Sequence, residues 1–144
     1  MSPISVLELR DVIIASPTHK APGPSSIPYE WFKLLSDTSL QFFYGLMNRC
    51  LDLFDIPKDW HLASIAPIPK PHEFDALLKN TRPITLLETA RKLLVKIVNN
   101  RLSNILSSHH VFQGNNFAGL PSSSVNILIN VLDGIIKSHT VHTI

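Results

Sequence analysis

The chain has 144 residues, 44% of them hydrophobic and 17% charged, with 13 Lys and Arg against 11 Asp and Glu for a formal net charge of +2, which fits one domain with a buried core. Apolar runs such as Phe42 to Tyr44 and Ile127 to Ile129 fall far short of the roughly 18–20 residues that cross a bilayer. No basic N-terminal stretch leads into an apolar segment and cleavage site, so the expectation is an intracellular protein, neither secreted nor membrane-spanning. The single cysteine, Cys50, rules out an intrachain disulfide and a Cys-rich zinc site.

In chain order, Ser5 with Glu8 forms a capping-box pattern ahead of an apolar stripe of Val6, Leu9, Ile13 and Ile14, which predicts a helix over 5–15 that Pro17 stops. Segment 17–28 holds four prolines and one glycine and is expected to be a stiff, irregular loop. Pro28 suits the first position of a helix over 28–36. A second box, Thr38 with Gln41, predicts a helix over 39–54 with Leu40, Phe43, Tyr44, Met47, Leu51 and Phe54 on its buried face.

The proline-marked segment 62–69 predicts an edge strand, and 81–84 a second extended piece, because a residue before proline is driven out of the helical region. Together they predict a short β-hairpin. A third box, Thr85 with Glu88, opens a helix over 86–106 with Ala90, Leu93, Leu94, Ile97, Val98, Leu102 and Ile105 as its stripe. Off that stripe lie the basic residues Arg91, Lys92 and Lys96. A polar loop over 107–124 and a last apolar-striped helix over 124–137 complete an α+β, mostly helical chain.

Charge is uneven along the chain. Residues 1–60 carry five Lys/Arg and seven acids, residues 61–110 seven and three, and the remainder one of each. A basic middle attracts phosphates, although a solvated helix face produces the same excess. The seven histidines are scattered, and neither His109–His110 nor His139–His142 gains an acid or cysteine at ligand spacing. No phosphate loop ending in Lys-Ser/Thr, no His-Glu-x-x-His and no Gly-x-Ser-x-Gly occurs.

What remains is a pair of cations, Lys70 and Arg82, on the two sides of the proline-punctuated hairpin. Lys20-Ala-Pro-Gly-Pro-Ser-Ser-Ile-Pro-Tyr-Glu30, Pro57-Lys-Asp-Trp60, Ala66-Pro-Ile-Pro-Lys70, Asn80-Thr-Arg-Pro-Ile-Thr-Leu-Leu87, Asn100-Arg-Leu102 and Gln113-Gly-Asn-Asn-Phe-Ala-Gly119 resemble, in that order, the opening blocks of non-LTR (LINE-type) retrotransposon reverse transcriptases. The resemblance covers about Lys20 to Ser124. It implies the fingers of a right-hand polymerase, truncated before the catalytic palm motifs, as a single partial domain over 1–144: a leading helix (1–19), a motif-bearing region (20–124) and a last helix with a truncated end (125–144).

By that resemblance Lys70 and Arg82 would contact the nucleotide triphosphate, where a planar guanidinium fork and a compact ammonium suit phosphate oxygens. Arg91, Lys92, Lys96 and Arg101 would meet nucleic acid. The partners implied are RNA template, DNA primer and deoxynucleoside triphosphate in a full-length protein. No catalytic residue and no metal is expected in this chain, the two Mg2+ ions belonging with palm aspartates beyond it. Asp133 lies in no such motif. Two departures from the family pattern stand out: Ser25-Ser26 where Asp-Gly is usual, and Phe117-Ala118 where Phe-Arg is common. The rival reading is a helical protein-interaction module, or a domesticated or decayed retroelement remnant.

Overall fold

A computed structural model of the chain describes residues 2–71, 75–109, 111, 129–130 and 132–133. Two compact units divide between Ile97 and Val98. Helix α1 (Val6–Ile14) begins as expected: the Ser5 Oγ accepts the Glu8 N–H at 3.1 Å, and the Glu8 carboxylate accepts the Ser5 N–H at 3.4 Å. It buries Leu9, Val12 and Ile13 and leaves Ile14 exposed. Just ahead of it, Ile4 is buried and tied by both backbone groups to the Asn48 side chain, at 2.7 and 3.2 Å.

Helix α2 (Tyr29–Lys33) is a single turn capped by Pro28, shorter than the predicted 28–36. Helix α3 (Asp37–Leu53) starts two residues before its predicted beginning. Its cap is Ser36, whose Oγ accepts the Ser39 N–H at 3.2 Å, so the Thr38–Gln41 box does not form and both residues are exposed. Arg10 on α1 meets Asp37, the first residue of α3, in an exposed 2.6 Å ion pair. At the other end Phe54 takes a left-handed φ of 52° and is 91% exposed, outside the core stripe expected of it.

Strands β1 (Ala63–Pro69) and β2 (Thr81–Leu87) form the expected hairpin, an antiparallel pair with Ile68 opposite Arg82 and Pro67 opposite Pro83. The bond from the Lys70 N–H to the Asn80 carbonyl, 2.8 Å, sets the parity of the ladder. Every second pair back from it (Ile68–Arg82, Ala66–Ile84, Ser64–Leu86) exchanges hydrogen bonds, and the pairs between point their backbone nitrogens outward. Pro67, Pro69 and Pro83 all occupy outward positions, so no proline costs a ladder bond. β2 runs to Leu87, beyond the predicted 84, which places Thr85 opposite Ile65 in the sheet. The Thr85–Glu88 box therefore does not form.

Helix α4 (Thr89–Ser108) starts with the Glu88 carbonyl accepting the Lys92 N–H at 3.0 Å. In the first unit it contributes Ala90, Leu93, Leu94 and Ile97 to a core shared with Ile4, Leu9, Val12, Ile13, Phe32, Leu40, Met47 and Cys50. Full burial of each large side chain contributes on the order of 1.5–3 kcal/mol. Phe32 and Phe43 add a tilted ring pair 5.0 Å apart.

In the second unit, Leu102 and Ile105 are half-exposed, unlike the stripe positions before Ile97. The helix closes with the His109 N–H on the Ile105 carbonyl and the Val111 N–H on the Leu106 carbonyl. Ile129, Asn130, Leu132 and Asp133 are helical and exposed. The rest of the predicted last helix, and the Gln113–Gly119 block, lie outside the described residues. Among the described residues no helix is long and apolar enough to cross a membrane.

Candidate functional site

The hairpin register brings together the two cations singled out in the sequence. Side chains alternate across a strand, so Ile68, Arg82 and Ile84 share one face, and Lys70, one step past β1 and opposite Asn80, continues it. A diagonal pair of this kind is about 7–8 Å apart. Both cations are exposed. The Lys70 ammonium donates to the Lys79 carbonyl at 2.9 Å, which holds it over the hairpin tip and leaves two of its three donors. Both faces of the hairpin are open: Ile65, Ile68 and Ile84 are each more than 40% exposed.

The α4 cations have a different setting. Arg91 donates from Nη1 to the Trp60 carbonyl at 3.1 Å, Lys92 from Nζ to the Ala21 carbonyl at 3.2 Å, and Lys96 from Nζ to the Ala15 carbonyl at 3.1 Å. All three are half-buried. Each pins one loop, the one before β1, the proline loop and the end of α1, to the same helix. Lys92 also stands 5.6 Å from the Tyr29 ring centroid. Burial pulls its pKa below the ordinary lysine value, against the opposing influence of Glu88 one turn earlier. Arg101, half-buried, belongs to the second unit.

Where β2 becomes α4, the Pro-Gly-Pro loop is seated against the backbone. Gly23 is buried, and a Cβ there would fall 2.5 Å from the Leu87 carbonyl and the Glu88 nitrogen, so only glycine permits the approach. The Ser26 N–H closes a turn on the Gly23 carbonyl at 2.9 Å, with Ser26 itself at φ 60°. Glu88 is only 6% exposed, and its carboxylate accepts the Ser25 N–H at 2.7 Å and the Ser25 hydroxyl at 2.5 Å. Thr89 donates to the Ile27 carbonyl at 2.6 Å. Glu88 has no place among the sequence-derived site residues. The only local signal for this joint is a glycine set between two prolines, and its partners lie 62 and 63 residues away.

Among the described residues no three His, Cys, Asp or Glu side chains group where they could hold a metal ion. The described constellation is thus an exposed cationic hairpin face on a rigid, locally locked base. Such a face can receive a polyanion through charge-assisted hydrogen bonds.

No family model matches the sequence. It is 32% identical over 102 residues to an RNA-directed DNA polymerase from the mobile element jockey of Drosophila melanogaster, covering 71% of this chain and 11% of that protein. To a probable RNA-directed DNA polymerase from transposon BS of the same organism it is 28% identical over 117 residues, 81% of this chain and 13% of the relative. An uncharacterized 149 kDa protein of transposon TX1 from Xenopus laevis is 28% identical over 106 residues, 74% and 8%. The chain thus spans about a tenth of the length of these relatives. Similarity of this order along most of its residues, to proteins of several separate elements, relates the chain to the RNA-directed DNA polymerases of non-LTR retrotransposons.

Proposed function

We propose that this chain is the fingers segment of a retrotransposon reverse transcriptase, in which Lys70 and Arg82 receive the triphosphate of the incoming deoxynucleotide. The observation that carries the reading is the hairpin register, which gives an exposed arginine and an exposed lysine one common face. Arg82 supplies a planar fork for two phosphate oxygens and Lys70 a point charge. In this reading the template and primer meet Arg91, Lys92, Lys96 and Arg101 through donors beyond those given to main-chain carbonyls. The chemistry itself belongs to two Mg2+ ions and palm aspartates supplied by the rest of a longer polymerase.

The test is Arg82→Ala in a polymerase that includes a palm. Removing the guanidinium that grips the triphosphate raises KM for every deoxynucleotide, with the fold of this segment unchanged because an exposed arginine contributes little to stability. Unaltered nucleotide kinetics would remove the assignment. The helical-interaction reading draws its support from α3, whose outward residues Phe42, Leu46 and Leu53 are exposed. An exposed apolar face of this kind suits a protein partner.

A further inference from the structure

We infer that Ser25 and Glu88 are positioning residues: their paired hydrogen bonds form the joint that sets the direction of the β-hairpin, and with it the place of Lys70 and Arg82. The functional consequence rests on the triphosphate reading above; the joint itself does not.

The hairpin has solvent on both faces, so packing along its length cannot hold it at one angle. Its direction is decided where its strands leave the helical body. On the β1 side Trp60 packs against the core and its carbonyl accepts a bond from Arg91. On the β2 side Gly23 lies against the Leu87–Glu88 peptide. There the Glu88 carboxylate accepts both the N–H and the hydroxyl of Ser25, and Thr89 fastens the next residue to Ile27. Two donors from one residue onto one carboxylate fix an orientation as well as a distance, as a bidentate contact does. A carboxylate this buried is also costly to leave unpaired, so the arrangement has one well-defined state. An aspartate at position 25 would face Glu88 with a second carboxylate, and like charges at this range repel. Serine at 25 and glutamate at 88 are thus matched to each other.

Residual dipolar couplings of the backbone amides test this in the 144-residue chain without any nucleotide. In the wild type, couplings from 63–69 and 81–87 should fit the same alignment tensor as α1 and α3. Ser25→Asp should detach the hairpin couplings from that tensor while the helices keep theirs. Adding Glu88→Gln to Ser25→Asp should restore the shared tensor, because a glutamine can accept the residue-25 N–H and donate to the new carboxylate. Ser25→Ala, which removes the hydroxyl bond to Glu88 but keeps the residue-25 N–H bond, serves if the charged variant fails to fold, and should show a smaller loss. Hairpin couplings that still fit the helices' tensor in Ser25→Asp and Ser25→Ala would overturn the inference. So would loss of the tensor in Ser25→Asp that Glu88→Gln leaves unrepaired. A joint confirmed in this way beside unchanged nucleotide kinetics in Arg82→Ala would leave the inference standing and remove only the triphosphate assignment.

Discussion

Two nearby residues in the Pro-Gly-Pro loop carry opposite demands on the backbone. Gly23 needs the absence of a side chain, since the space a methyl would take is filled by the Leu87 and Glu88 main chain. Gly23→Ala is expected to destabilise the first unit by about 1–3 kcal/mol, the usual cost of overpacking, read as a lower denaturant midpoint at unchanged slope. Ser26 needs a left-handed φ and has a side chain that disfavours it. Ser26→Gly relieves that cost but adds unfolded-chain entropy, so a net change between zero and about 1 kcal/mol in the stabilising direction is expected from the same measurement.

Glu30 extends the residue-scale account to pH. The backbone N–H of His19, bonded to its carboxylate, holds its pKa below the ordinary 4.5. A depressed folded-state pKa means that the unfolded chain binds the proton more tightly. This contribution to stability is therefore complete above the unfolded value and is lost as pH falls through the folded one. Glu30→Gln should lower stability in the neutral region, where this contribution is complete, and leave it nearly unchanged at pH values below the folded-state pKa, so that the acid limb between them flattens. Unfolding curves at stepped pH decide it, and a limb of unaltered slope would assign the acid sensitivity elsewhere.

Among the elements, the hairpin offers the sharpest test, because its prolines sit at positions of one parity. Pro67→Val returns an outward N–H, leaves the ladder intact and exposes an edge. It is expected to alter stability by no more than about 0.5 kcal/mol while raising self-association, seen by sedimentation. Ala66→Pro, one residue away, deletes a ladder bond and should open the hairpin, with loss of amide protection across both strands. The hairpin was legible in the sequence because its evidence is local: a proline drives the residue before it out of the helical region, and three prolines lie within the two strands. The capping boxes were legible only where nothing competed. Ser5 and Glu8 pair as their spacing says, but Thr38 gives way to Ser36, two residues earlier, whose hydroxyl takes the Ser39 N–H and caps α3 instead. Thr85 gives way to a strand whose partner Ile65 no local pattern reveals. The inward bonds of Lys92 and Lys96 span 71 and 81 residues. Periodicity places both residues off the apolar stripe and carries no information about which carbonyls receive their ammonium groups.

For the molecule as a whole, the two readings of function part over nucleic acid. Under the polymerase reading, this chain with magnesium and a primed template should incorporate no nucleotide, because positioning cations do not replace the two-metal charge stabilisation that a palm supplies. Template-dependent primer extension above background by the purified chain would contradict that. Binding should nevertheless occur. The excess of basic residues lies in 61–110, and within it Lys70, Lys79 and Arg82 gather on the exposed hairpin, while three α4 cations are half-spent on carbonyls. Three or four phosphate contacts release as many counterions, so log K should fall against log salt with a slope of roughly −2 to −4, whatever the base sequence. Arg82→Ala should bring that slope about 0.7–0.9 closer to zero, a change that a mere loss of stability would not produce. An interaction module predicts the reverse: no binding of single strands or RNA–DNA duplex even at low salt, and a partner held through the apolar face of α3 with little salt dependence. Fluorescence anisotropy across a salt series separates the two, since only phosphate neutralisation by the hairpin gives both the slope and its response to a single arginine.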